Sequence, residues 1–198
     1  MPIHFRCPSP SWVNERLSAL DGELSYPEVG ATSRLEEALP AALRAQYDVD
    51  HHRVVVGHGR ATFERAWEAL SLWRQFEVGW ARLEGADAPA HEGQVVGTLV
   101  SFGGVWLLNP CRVVYVKAPA ADDVRGAVGY GTFPGHVESG EERFCVTIDP
   151  QTERVEYEIA AFSRPAHVFT RLGYPVTRVV QRRFARATGD AVLRVVSE

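Results

Sequence analysis

From residue 76 to residue 163 the chain offers six strand-like segments in succession, with no helical period between them. They are FEVGWARL (76–83), QVVGTLVSF (94–102), VWLLNPCRVVYVKA (105–118), VRGAVGYGT (124–132), RFCVTID (143–149) and RVEYEIAAFS (154–163). Parallel neighbours need crossovers of about a dozen residues or more, and every connection here is shorter, so the segments predict an antiparallel meander. In the last segment Val155, Tyr157 and Ile159 share one side and Glu156 and Glu158 the other, as in a sheet with one buried face. Asn109-Pro110 is expected to break the third segment or mark a bulge, because proline cannot donate to a ladder. The polar stretch DPQTE (149–153) reads as a hairpin turn.

The next element decides how that apolar face is covered. Residues 170–192, TRLGYPVTRVVQRRFARATGDAV, place Val176, Val180, Phe184, Ala187 and Ala191 at helical spacing. Val179 widens the stripe, Pro175 suits a first turn, and Arg178, Arg182 and Arg186 fall on the other side. A long helix with one apolar stripe, laid in a strongly curved sheet with one apolar face, satisfies both. The expected architecture is therefore α+β of the helix-grip type, which tends to leave a cavity between helix and strands. Upstream, HHRVVVGHG (51–59) predicts a strand and residues 61–76 a helix, with Thr62 as its cap and Phe63, Ala66, Trp67, Leu70 and Trp73 on its apolar side. Residues 9–20 predict a shorter helix capped by Ser9, with Pro10 in its first turn. A further helical piece over 34–47 is interrupted at Pro40. The 198 residues are expected to make one domain, with 1–50 as an accessory segment and 51–192 as the helix-grip core.

Composition excludes several function classes. A net charge of −4 offers no bulk attraction to nucleic acid or anionic lipid. No apolar run approaches the roughly 20 residues of a membrane helix. The start, MPIHFRCPSPSW, does not read as a secretory signal, and Cys7, Cys111 and Cys145 are too scattered for a disulfide framework, so a cytoplasmic location is expected. No CxxC pair, HExxH, phosphate-loop or GxSxG pattern occurs, and neither a metal nor a cofactor is expected. The expected partner is a small apolar molecule, the protein itself being a monomer or a homodimer.

Three motifs carry a resemblance. YPEVGAT (26–32), LLNPCRVVYV (107–116) and YGTFPGHVESGEERF (130–144) resemble signatures of the DUF1990 (UPF0548-type) family of uncharacterised proteins, and LGYPVTRVVQRRFA agrees with it. The similarity runs from about Tyr26 to Ala187. That family looks related to START-type, polyketide-cyclase-like and pollen-allergen-like helix-grip proteins. The resemblance implies the architecture already reached, and it does not choose among carriers, receptors and cyclases.

The candidate chemistry clusters in the third motif. His136, Glu138, Glu141 and Glu142 lie beside Arg143, on what reads as a hairpin tip. His136 with Glu138 or Glu141 could exchange protons near neutral pH, as a cyclase, dehydratase or isomerase requires. The same stretch reads first as a solvated turn set by Pro134 and Gly135, and next as a rim that gates a ligand. Other candidates for contacting a ligand are Tyr26, Glu28, Trp80, Asn109, Arg112, Tyr115, Tyr130, Thr132 and Arg143. By period two, Arg112 shares a side with Val114 and Val116, and Cys111 with Val113 and Tyr115. Glu28 could pair with Arg112 or Arg143 and fold the first segment over the barrel opening. The leading expectation is binding of a small, largely apolar ligand, which calls for a cavity of about 300 Å³ or more. The alternatives are the acid–base enzyme and a filled barrel acting through its surface.

Overall fold

The computed structural model describes residues 3–37, 41–166 and 174–198. Eight strands form one antiparallel sheet: β1 (Ile3–His4), β2 (Asp48–His58), β3 (Ala81–Glu84), β4 (Val95–Phe102), β5 (Val105–Lys117), β6 (Arg125–Thr132), β7 (Glu138–Ile148) and β8 (Arg154–Pro165). Their order across the sheet is β2-β8-β7-β6-β5-β4-β3, with β1 paired to β5. The helices are α1 (Pro10–Ser18), α2 (Ala41–Arg44), α3 (Arg60–Ser71) and α4 (Tyr174–Ser197). The sheet curls around α4 in the helix-grip manner, and α3 joins α4 on the concave side.

The two sides of the sheet bury different things. The concave side holds the main core, where Val113, Val128, Phe144, Val146, Val155, Tyr157 and Ile159 meet Phe63, Leu70 and Trp73 of the α3 region and Val192 and Val196 of α4. On the convex side, Val13 and Leu17 of α1 pack on Leu99 and Leu108. Tyr26, Leu43 and Tyr47 pack there on Phe162. The amino-terminal segment thus covers the back of the sheet, where the sequence suggested the barrel opening.

Local chemistry explains where elements begin and end. Ser9 caps α1, its hydroxyl accepting from Trp12 N–H at 3.3 Å, and Pro10 stands in the first turn. Gly59, in the left-handed region, precedes α3, so Thr62 lies inside the helix and does not cap it. Trp73 has a positive φ of 62°, which stops α3; a short 3₁₀ turn (Arg74–Phe76) follows and drives Phe76 into the core. Strand β3 consequently starts at Ala81, later than residue 76. Asn109 and Pro110 do not interrupt β5. Pro110 still pairs with Gly97 of β4, but pairing with β6 begins only at Cys111, so the missing N–H falls beyond that ladder. The irregularity sits instead between Val113 and Tyr115. That extra residue moves Tyr115 to the convex side and Val116 to the core, breaking the expected parity. In α4, Val179 is 58% exposed and lies outside the buried stripe, which continues through Ala191, Val192 and Val196. The start of the expected helix, residues 170–173, lies outside the described residues.

Glycines in β6 let aromatic rings lie flat on the back of the sheet. A Cβ on Gly131 would stand 2.1 Å from Tyr26 Oη, and one on Gly129 would stand 2.4 Å from the Tyr115 ring. Gly131→Ala is expected to destabilise the protein by roughly 1–3 kcal/mol. Urea unfolding checks this, and a variant as stable as the parent would show that Tyr26 is not pressed on the strand.

Candidate functional site

The run from His136 to Arg143 does not form a solvated tip. The turn is confined to 133–137, closed by His136 N–H donating to Phe133 O at 3.2 Å, and β7 already begins at Glu138. Asn109 Oδ1 accepts Val137 N–H at 3.3 Å and Pro110 O accepts Phe133 N–H at 3.1 Å. The asparagine–proline pair of the second motif therefore anchors the turn of the third.

Alternation along β7 then separates the cluster. Phe144 points into the concave core, so Glu142 and Glu138 share its side, while Glu141 and Arg143 point to the back. There Glu141 is consumed by four donors. Tyr26 hydroxyl and Gly30 N–H donate to Oε2 at 2.6 Å each, Thr32 N–H donates to Oε1 at 2.8 Å, and Thr32 hydroxyl donates to the same oxygen. Tyr115 hydroxyl lies 2.8 Å from Thr32 Oγ1. Arg143, 1% exposed, donates to Thr32 O at 2.8 Å and to Glu158. Glu158 also meets Arg53 at 2.6 Å and His51 at 3.1 Å. Burial alone would raise the Glu158 carboxyl, but His51, Arg143 and Arg53 together hold it down to about 2. Arg112 donates to Gly22 O at 2.8 Å and lies over the Phe133 ring at 4.7 Å. Glu28 accepts Tyr47 hydroxyl at 2.7 Å. Of the sequence candidates, then, Tyr26, Glu28, Arg112, Tyr115, Glu141 and Arg143 are brought together on the back of the sheet. They lock the amino-terminal segment to the strands, and Glu141 is not within reach of His136.

The other candidates, Trp80, Asn109, Tyr130, Thr132, His136 and Glu138, line a cavity of about 150 Å³ between the sheet and α4. Val100, Ala161, Val180 and Phe184 supply its apolar wall. Thr132 hydroxyl is spent on the backbone of Gly140 and on Ser25. His136 accepts Glu138 N–H on Nδ1 at 2.9 Å, and burial lowers its pKa to about 4, so the ring is neutral and carries its hydrogen on Nε2. Glu138 is 6% exposed; burial raises its carboxyl, and its Oε1 has no partner among the described residues. Glu142 accepts Tyr130 hydroxyl at 2.7 Å. Burial, with the negative charge of Asp50, pushes it up to about 7 against that hydrogen bond. Glu142 was not among the ligand or catalytic candidates, yet the parity of Phe144, extended upstream, places it on the cavity side. Larger open depressions exist elsewhere, one of about 760 Å³ beside residues 22–29 and Arg112. Arg112 is already partnered there, so the cavity under α4 carries the more distinctive chemistry. Among the described residues no group of histidines, cysteines and acids is placed to hold a metal, and no helix is long and apolar enough to cross a membrane.

Comparison with known proteins agrees with the resemblance of the three motifs. The profile for "Domain of unknown function (DUF1990)" matches residues 25–191. The chain belongs to the DUF1990 family. A UPF0548 protein of Arabidopsis thaliana is 38% identical over 156 residues, covering 75% of this chain and 73% of the relative. One of Dictyostelium discoideum is 30% identical, covering 97% of this chain and 94% of its own. Among solved structures, the Zhui aromatase/cyclase from Streptomyces sp. R1128 superposes with a TM-score of 0.55 at 18% identity, over 76% of this chain and 94% of that one. That likeness carries the fold and nothing further.

The Glu142 environment has a consequence for stability. Its folded pKa lies above the ordinary carboxyl value, so the folded state holds the proton more tightly than the unfolded chain, and its contribution to stability is lost as pH rises from about 4.5 to about 7. Glu142→Gln is expected to melt close to the parent at pH 5 and above it at pH 8. Thermal melts at the two pH values decide it, and equal melting at pH 8 would show the carboxylate to be well solvated.

Proposed function

We propose that this protein binds a compact, largely apolar molecule in the cavity between the sheet and α4. The observation that supports the reading is the pairing of an apolar wall, Trp80, Val100, Val180 and Phe184, with a buried carboxylate oxygen, Glu138 Oε1, that has no partner among the described residues. Leaving such an oxygen dry costs about 1–3 kcal/mol or more, so an occupant that donates to it is favoured. A volume of about 150 Å³ is half the size anticipated from sequence. A cavity of this size holds one benzene-sized body.

A second reading, in which the cavity moves protons, is favoured by Glu142. A carboxyl poised at about 7, with a phenol at 2.7 Å, suits a general acid or base at neutral pH. Glu142 with Tyr130 then takes the role first considered for His136 with Glu138 or Glu141.

Filling the cavity separates binding from packing. Ala161→Leu adds apolar bulk at the wall, and the variant is expected to keep the parent's melting temperature or exceed it while losing binding of single-ring molecules, followed by amide chemical-shift titration. Native mass spectrometry of parent and variant from the same host should show a copurifying molecule on the parent alone. Retained binding in a folded Ala161→Leu protein would place the ligand elsewhere.

A further inference from the structure

Among the described residues that line the cavity, the charged side chains are acids. Glu138 and Glu142 line it, and the negative charge of Asp50 on β2 acts on both. Among the described residues, Arg178 on α4 answers Asp50, donating to its Oδ1 at 2.5 Å and to Gln181 at 3.0 Å, and the Arg183 guanidinium is spent over the Trp80 ring at 4.7 Å. His136 is neutral, so it adds no positive charge. Glu138 and Glu142 stand four residues apart on one side of β7, about 13 Å along the strand, so a small occupant contacts one of them. Glu142 already has Tyr130, whereas Glu138, met by Ser163, keeps Oε1 without a partner among the described residues.

We propose that the occupant is a small primary amine, its ammonium on Glu138 Oε1 and its single ring or short alkyl body against Trp80, Val100 and Phe184. This rests on the cavity reading above and adds the sign of the ligand's charge. An ammonium has three donors and no acceptor. It therefore suits a pocket whose unmatched group is an acceptor in a negative field, and it gains a charge-assisted hydrogen bond there. A carboxylate of the same shape would meet like charge.

The test uses three probes of one size on the full chain at pH 7.5: benzylamine, ethylbenzene and benzoate, followed by amide chemical-shift titration. Benzylamine is expected to bind roughly tenfold tighter than ethylbenzene, the effect of one charged hydrogen bond, and benzoate more weakly than either. In Glu138→Gln that preference should fall to about twofold or less, and the dispersion of its amide spectrum reports that the variant is folded. Ethylbenzene binding as well as benzylamine to the parent would overturn the amine assignment and leave the cavity reading standing. Failure of all three to bind would overturn both.

Discussion

The pleat of β7 is the constraint on which the rest of the molecule depends. Side chains on a strand alternate, so a run of ionisable residues that is contiguous in sequence cannot act as one cluster. Between His136 and Arg143 the alternation sends Glu138 and Glu142 under α4, and Glu141 and Arg143 to the back of the sheet. The first pair meets a pocket with an apolar wall, where Glu142 has Tyr130 and Glu138 Oε1 has no partner among the described residues. The second meets a dense set of donors. Identical chemical groups, one residue apart, thus end in opposite electrostatic situations.

On the back of the sheet, burial of charge is compensated by counting donors. Glu141 receives four, two from the backbone of residues 30–32 and two from hydroxyls. Glu158 is met by two arginines and a histidine. Charges removed from water are tolerable only when their lone pairs are matched in this way, and removing any one partner leaves the others stranded. The first motif has its physical meaning here: Tyr26, Gly30 and Thr32 are spaced to surround one carboxylate. The sheet gains a second covered face, and its strands are clamped from behind, which fixes the curvature that shapes the cavity in front.

Much of this was legible in the sequence. The meander and the terminal helix follow from hydrophobic period, because long periodic segments report directly on which face is buried. The motifs marked the right places, but their roles depended on parity, and two local features hid it. The extra residue between Val113 and Tyr115 reverses the sides of everything after it on β5, and a bulge of that kind leaves no compositional trace. The Pro134-Gly135 turn suggested a long exposed loop, whereas β7 starts three residues later and its first half pairs with the end of β8. Had the inward side of Phe144 been carried back through the glutamates, Glu142 would have been chosen over Glu141. No such signal existed for the partner of Glu28, since Tyr47 stands 19 residues away and no strand or helix period links the two.

The volume of the cavity follows from how the interior is divided. Aromatic rings fill one part of the concavity: Phe76 packs on Phe144 at 5.6 Å and on Phe184 at 5.5 Å, and Tyr130 on Phe144 at 5.2 Å. Edge-on and tilted stacks of this kind leave little room between them. Helix α4 is held at its carboxy-terminal half, where Val192 and Val196 are buried and Gly189 lies so close to Val54 that a Cβ would stand 2.9 Å away. Its earlier turns instead lend Val180, Gln181 and Phe184 to the cavity wall and meet β2 through Arg178 and Asp50. Enlarging the cavity would therefore mean displacing the turn that carries Val180 and Gln181, since Phe184 belongs to the ring cluster. The Arg178–Asp50 pair fastens those earlier turns to β2, beside the Glu138 carboxylate whose Oε1 has no partner among the described residues.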